Sequence, residues 1–552
     1  MRSRGQVVER PVAYFREMIV LQTGFGKPLN VPFIPSISDP ANMVAACMHR
    51  FGCDMPVAQR DTMREFVDYS RGVVLRYVNR IADSDVREFN AWLDGVGYSA
   101  SRREYLRNLR NYMTEISSKV LVAKGFIKHE SYKVPKNPRA ILSYSDDSKV
   151  LLGPLINAMD KCQFKSLSKM FVKGTDPADW PKRLRDTFGY QAVNCTDFTS
   201  FEAHHRDDFS YIIYFWMAHI LRDVQGASVL RAMIKALVLG RNEIVFKHIR
   251  VEVDRRLMSG ALWTSSANGM LNMLIMSYLT LKVKFPDAPI GLLIEKLGTD
   301  FTGLFEGDDG ITEYVNIPSS LIDSLGLKLK IERQSSFEEA GFCSIYCDGR
   351  SLATIRDPMK TIQNFFILPP EFENSSRSKV LSYLRAKAMS LKYLYPNAPV
   401  VGPMMDWVLR RTRSHDVRSI LDHFDLWQRN NLQYAIASTR HRQAAVVDPT
   451  SRQMVERIFG ISVVRQDILE NAFLTSEDDV VELDLRDLVQ PEHYRHMQEF
   501  LHLRSAIYPQ VDRTVPVEVQ RVMHNGLRAS RVRPGTKVRH EKFFEHGLEL
   551  PV

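Results

Sequence analysis

The sequence predicts an α+β chain, and three observations predict it. Apolar residues recur at helical spacing through much of the first 120 residues and again beyond about residue 375. Residues 190–197 and 341–347 read instead as strands, and an apolar/basic alternation occupies residues 325–331. Between them stands Phe305-Glu306-Gly307-Asp308-Asp309-Gly310, two adjacent carboxylates bracketed by glycines. Glycine permits the positive φ of a sharp turn, so this stretch reads as a hairpin tip, with the apolar run 290–294 before it as a β-prone neighbour.

With 552 residues, 45 % of them hydrophobic, the chain can bury a large core, divided among about two to four lobes. Charged residues make up 25 %, which argues against wholesale disorder. The net charge of +10 favours a polyanion such as nucleic acid as partner. Six cysteines are scattered without a CxxC pair, as expected of a reduced, intracellular chain. Cys47, His49 and Cys53 lack a matching second pair of zinc ligands. No apolar core follows the basic start at once, and no apolar run reaches the ~18 residues of a membrane span, so neither a signal peptide nor a transmembrane segment is expected.

In chain order, Pro28, Pro32, Pro35 and Pro40 punctuate an extended start. Helices are expected over residues 61–81 and 101–116, the second with Arg102, Arg103, Arg107 and Arg110 on a solvated face. Residues 126–141 form a basic ribbon holding Lys128, Lys133, Lys136 and Arg139, stiffened by Pro135 and Pro138. Cations preset on a stiff ribbon suit a triphosphate. Asp197 ends the strand that begins near residue 190, and Glu202 falls in the following turn or first helical turn. His204 and His205 read as helix-face residues rather than metal ligands. A mixed segment, 226–258, leads to Ser259-Gly260, Thr264 and Asn268, small hydrogen-bonding groups at the mouth of an apolar helix over 270–281. After the hairpin, 341–347 is expected to be a strand pair turning near Asp348-Gly349. Ser375 or Ser376 caps a helix reaching Tyr395, where Pro396 and Pro399 stop it. The acidic stretch 477–487 reads as a linker, and the basic tail 528–542 as mobile.

Asp308 and Asp309 alone make a solvated turn. Held close together, two carboxylates call for a cation between them, and hard oxygen donors suit Mg²⁺ or Mn²⁺. The order of the remaining features is more specific. Basic ribbon, Asp197-x₄-Glu202, Ser259-Gly260 with Thr264 and Asn268, Gly307-Asp308-Asp309, the lysine-rich strand with Lys328 and Lys330, and Gly341-Phe342-Cys343-Ser344 follow one another. In this order the chain resembles the RNA-dependent RNA polymerases of positive-strand RNA viruses, in particular the tombusvirus-like and nodavirus-like group. The resemblance covers roughly residues 120 to 350.

The resemblance implies a right-hand fold with an antiparallel-sheet palm and a mostly helical thumb. Residues 1–185 would form an N-terminal extension and fingers, 186–225 and 259–350 the palm, 226–258 a fingers insertion, and 351–552 the thumb and basic tail. It implies nucleotidyl transfer with two Mg²⁺ or Mn²⁺ ions on Asp197, Asp308 and Asp309, and a general acid at Lys330 or Lys328. Lys128, Lys136 and Arg139 would neutralise the NTP triphosphate. Asn268, with Ser259 or Thr264, and Glu202 would hold the ribose. Glu202 stands where aspartate is common in the superfamily, so the added methylene bears on 2′-OH selection rather than on catalysis. Implied partners are RNA template and nascent strand, NTPs and other viral replication proteins. Implied locations are membrane-associated replication sites in the host cytoplasm, reached through partners, or the virion.

Overall fold

The computed structural model describes residues 33–477 apart from gaps at 51, 54, 114–117, 129, 131–136, 367–371, 373–374, 425 and 439–441. It also describes positions 481, 483 and 488 and short strands at 15–17, 523–524 and 527–531. The chain mixes α and β structure, 56 % helical and 12 % strand, so helices do most of the covering of its sheets.

Helix α1 (Arg60–Tyr77) and helix α2 (Ala100–Tyr112) fall where periodicity places them. The Ser99 hydroxyl caps α2 by accepting the Arg102 N–H. Strands β1 (Val122–Ile127) and β2 (Ala140–Tyr144) are the two antiparallel walls of the basic ribbon, and α3 (Asp146–Ser166) follows. Arg102 is not merely solvated, as its helix face suggested. It grips Asp146 at 2.5 and 3.0 Å and ties α2 to the first turn of α3.

Next come β3 (Val193–Phe198), the short α4 (Phe201–His204) and α5 (Asp207–Ile220). The mixed segment resolves into a helix, Ser228–Leu239, and the hairpin β4 (Arg241–Val245) and β5 (Ile249–Asp254). Helix α6 (Thr264–Lys284) is buried at every position from Ser266 to Leu281. A helix enclosed on all sides needs no polar face, which explains its unbroken apolar run. The apolar run at 290–294 is not a strand but part of helix α7 (Ile290–Lys296). Pro289 precedes it, Leu293 is buried, and the Ile294 side chain fills the space beside Gly72 of α1. The strand leading into the carboxylate turn is instead β6 (Gly303–Glu306), paired with β7 (Asp309–Glu313). The lysine-rich alternation enters its strand late: residues 325–327 form a buried turn with Gly326 at φ 67°, and β8 spans Leu329–Gln334.

Two sheets result. One has the order β8-β3-β7-β6 and is antiparallel throughout. The other joins β5, β4, β1 and β2, with β1 and β4 parallel. Strand Leu527–Arg531 pairs with the free side of β5, so the tail expected to be mobile includes a strand. The four-stranded sheet separates two cores by simple alternation. Phe305 and Phe198 point to the core that contains α6, while Leu304, Ile311 and Val193 point to the other.

That second core is helical. It follows the strand pair β9 (Tyr346–Cys347) and β10 (Thr354–Ile355) and contains α8 (Arg377–Leu394), α9 (Val401–Arg411), α10 (Leu426–Ala437), α11 (Pro449–Phe459) and α12 (Val463–Thr475). Ser376 caps α8, accepting the Lys379 N–H, as the sequence suggested. The stretch 342–344, expected to begin a strand, is a 3₁₀ turn in which Cys343 and Ser344 take positive φ. Among the described residues no helix is long and apolar enough to cross a membrane.

Candidate active site

The carboxylate turn is a consequence of local backbone chemistry. Two residues, Gly307 and Asp308, join β6 to β7, with Glu306 opposite Asp309. Gly307 has φ 60° at the first turn position, where a type II′ hairpin takes glycine. Asp308 and Asp309 are thereby left exposed at the end of the sheet.

Sheet register brings the third carboxylate there. Thr196 on β3 pairs with Gly310 on β7, so Asp197 and Asp309 lie one step further on adjacent strands. On its other side Asp197 faces Lys330 of β8. Lys330 is exposed and ion-paired to Glu332. Its pKa is raised, chiefly by its hydrogen bond to Glu332, with the Asp197 charge adding to the effect. Lys328 lies just before the strand, its backbone N–H donating to His204 Nε2 at 2.9 Å.

Electrostatics record the convergence. The Asp309 carboxyl is pushed up to about 6, first by desolvation and then by the Asp308 charge, with Glu306 and Asp197 contributing. A hydrogen bond with Cys343 opposes this rise. Like charges gathered this way are the condition that a divalent cation relieves, and the donors are the hard oxygens that Mg²⁺ and Mn²⁺ prefer. Among the described residues no three His, Cys, Asp or Glu side chains are drawn together tightly enough to hold a metal as they stand.

Several supports of this turn were not foreseen from sequence. Asn272 of α6 donates to the Asp308 carbonyl at 2.9 Å and to Thr196 Oγ1 at 3.4 Å. Thr196 Oγ1 in turn approaches the carbonyl oxygens of Asp308 and Gly310 at 3.3 and 3.4 Å. Segment 170–172 lies beside β6 through Phe305 N–H to Met170 O and Val172 N–H to Phe305 O bonds. That placement puts Lys173 Nζ 2.7 Å from Glu306 Oε1 and 2.8 Å from Ser265 Oγ. Half-buried Asp160 of α3 lies near them, its pKa raised to about 7, chiefly by desolvation. The spacing of Asn268 and Asn272, four residues apart on one helix face, was the available signal for Asn272. Lys173 had no comparable signal.

The expected ribose group is partly engaged elsewhere. Ser259 Oγ accepts the Leu142 N–H at 3.1 Å and donates to Ala140 O at 3.2 Å. Gly260 N–H donates to Leu142 O at 2.7 Å, so this Ser-Gly pair clips the α6 loop onto β2. A Cβ at Gly260 would lie 3.0 Å from that carbonyl oxygen, which accounts for the glycine. Thr264 Oγ1 donates to Met258 O at 2.8 Å. Asn268 is buried beside the His205 ring, and its Oδ1 has no hydrogen-bond partner among the described residues. Glu202 is half-buried in the first turn of α4, just after Ser200, which is held in the left-handed region at φ 54°. That turn redirects the chain from β3 and sets Glu202 off from Asp197.

Of the two histidines after Glu202, His204 closes α4 and His205 follows it, and both are core residues. His204 and His205 are 1 % and 2 % exposed, and burial lowers their pKa values to about 4 and about 3. On the basic ribbon, Glu130 holds both Lys128, at 2.9 Å, and Arg139, at 3.3 Å. Lys133 and Lys136 lie outside the described residues. No protein-family model matches this chain, and no curated protein matches it.

Proposed function

We propose that this chain is an RNA-directed RNA polymerase, joining the 3′-OH of a nascent strand to the α-phosphate of an NTP on an RNA template. The observation that carries the reading is the meeting of Asp197, Asp308 and Asp309 at one end of the antiparallel sheet, with Lys330 opposite Asp197. In this reading the four-stranded sheet is the palm, the sheet of β1, β2, β4 and β5 belongs to the fingers, and the helical region beyond residue 351 is the thumb.

Asp197, Asp308 and Asp309 would hold two Mg²⁺ or Mn²⁺ ions, whose chemistry when bound is to activate the attacking oxygen and stabilise the leaving one. The protein's own part is positioning and charge. Asn272 and Thr196 fix the turn that carries Asp308. Lys128 and Arg139, both paired with Glu130, would exchange that carboxylate for the triphosphate oxygens. Lys136 joins them. Lys330, kept charged beside Asp197, or Lys328 delivers the proton to pyrophosphate. Glu202 and Asn268 would serve the ribose, while Ser259 and Thr264, whose hydroxyls bond backbone carbonyls, would hold the loop that leads to Asn268. RNA is held chiefly through its backbone, so binding weakens as salt rises. Other viral replication proteins would recruit the chain to membranes.

Primer extension on an RNA template, with NTPs and dNTPs compared, tests the proposal. Extension with NTPs is expected, lost in Asp308→Asn while RNA binding stays within a few-fold. Near-normal extension by that variant would overturn the assignment of the site. Preference for dNTPs would make the chain a reverse transcriptase instead.

A further inference from the structure

The helical core carries a second concavity, built from none of the residues placed at the carboxylate turn. It lies between α8, α9, the turn after α9, α10 and residues 442–444, open to solvent, with a volume of about 730 Å³. That volume is within the range of sites for single small molecules. Its chemistry is divided. Met389, Leu409, Val417 and Ile436 supply an apolar surface. Arg385, Arg410, Arg413, Arg418 and Arg442 supply five guanidinium groups around it.

These arginines fall into two sets. Arg385 and Arg410 are anchored: Arg385 Nη1 donates to Leu409 O at 3.2 Å, and Arg410 Nη2 to Phe473 O at 3.1 Å. Arg413, Arg418 and Arg442 are exposed, and no hydrogen bond or ion pair joins them to the described residues. Two carboxylates line the same pocket, Asp406 and Asp416. Asp406 is already engaged, by the fully buried Lys392 at 2.8 Å and by the Ala445 N–H at 2.7 Å. Asp416 alone is left against five guanidinium groups, so the pocket is strongly cationic. Like charges in one concavity repel unless an anion enters, and guanidinium groups match phosphate oxygens with paired donors.

We infer that this pocket binds a nucleoside triphosphate, with the phosphates on the free arginines and the base against the apolar surface. The volume matches a single small molecule, and the arginines come from α8, α9, the turn after α9 and residue 442 rather than from one line along the surface. An apolar floor beside the cations favours a nucleotide over a simple anion. The site makes the helical lobe a place where nucleotide concentration can be sensed apart from the carboxylate turn.

Binding of a GTP analogue carrying a methylanthraniloyl fluorophore to the full chain, in EDTA, tests the inference. The variants are Arg413→Glu/Arg418→Glu, whose side chains are exposed and make no bonds with the described residues, and Arg139→Ala on the basic ribbon. The double variant should lose about tenfold or more in affinity, the effect of losing charge-assisted hydrogen bonds, while Arg139→Ala retains this binding. Unchanged affinity in the double variant, with a native circular-dichroism spectrum, would overturn the inference. So would a loss confined to RNA oligomers, which would place the pocket on the path of the template. Inorganic triphosphate should compete about tenfold more weakly than GTP, and equal competition would remove the nucleoside from the assignment.

Discussion

Asp197 and Glu202 stand in different surroundings at the end of one strand. Asp197 and Asp309 share a sheet end, and the Asp309 carboxyl is raised first by desolvation and then by Asp308, with Asp197 adding least. Glu202 is set off from them by the left-handed turn at Ser200, and in the proposed enzyme it meets the sugar rather than a metal. A non-glycine residue in that region is strained, and such strain is retained where placement matters. Glu202→Ala is therefore expected to weaken NTP use more than dNTP use, by roughly 1–3 kcal/mol for one buried hydrogen bond. The Mg²⁺ requirement should be little changed. Incorporation of both nucleotide classes over a Mg²⁺ titration measures both effects, and an unaltered sugar preference with a large rise in the Mg²⁺ needed would place Glu202 among the metal ligands. The hairpin tip carrying Asp308 and Asp309 was legible in the sequence, because it depends on short-range spacing. The use of Ser259 and Thr264 by backbone carbonyls was not, because those carbonyls come from β2 and from the loop's own fold.

At the scale of elements, the site depends on α6 as much as on the sheet. The helix is buried throughout, yet it sends Asn272 to the carbonyl of Asp308 at 2.9 Å. Asn272→Leu keeps much of the volume and removes the donor. Leaving that carbonyl short of a partner is expected to cost about 1–3 kcal/mol of stability and to lower kcat with little change in the KM for NTPs. Urea unfolding together with steady-state kinetics would show this. A rise in KM alone would mean that Asn272 serves nucleotide binding instead. Periodicity located α1, α2 and α8 because each shows one apolar face. It misread α7, whose short apolar run fits strand and helix equally until packing against α1 decides.

For the whole molecule, the buried histidines give a pH dependence whose sign is fixed. His204 and His205 have folded pKa values below the ordinary 6.5, at about 4 and about 3, because burial disfavours the charged ring. The unfolded chain therefore binds protons that the folded chain refuses. Stability is intact above pH 6.5 and falls as pH drops toward 4. At pH 5 each histidine costs about 2 kcal/mol, the 1.36 kcal/mol per pKa unit acting over the interval below 6.5. Unfolding midpoints at pH 7.5 and 5.0 should separate, and the separation should shrink in His205→Gln. An equal separation in that variant would assign the acid sensitivity to other groups.

The sequence by itself determined the α+β class, the glycine-bracketed carboxylate turn, the capped helix after Ser376 and the cationic ribbon. Each is written in propensity, spacing or charge over a few residues, where local physics acts without the rest of the fold. Tertiary structure alone decided which strand stands beside which, and hence that Asp197 lies between Lys330 and Asp309. It also decided that Lys173, 133 residues before Glu306, becomes its ion-pair partner, and that five arginines surround one pocket of the helical lobe. Long-range contacts of this kind arise when two cores close on opposite faces of a sheet, and side chains distant in sequence carry no periodic mark of the neighbours that closure gives them.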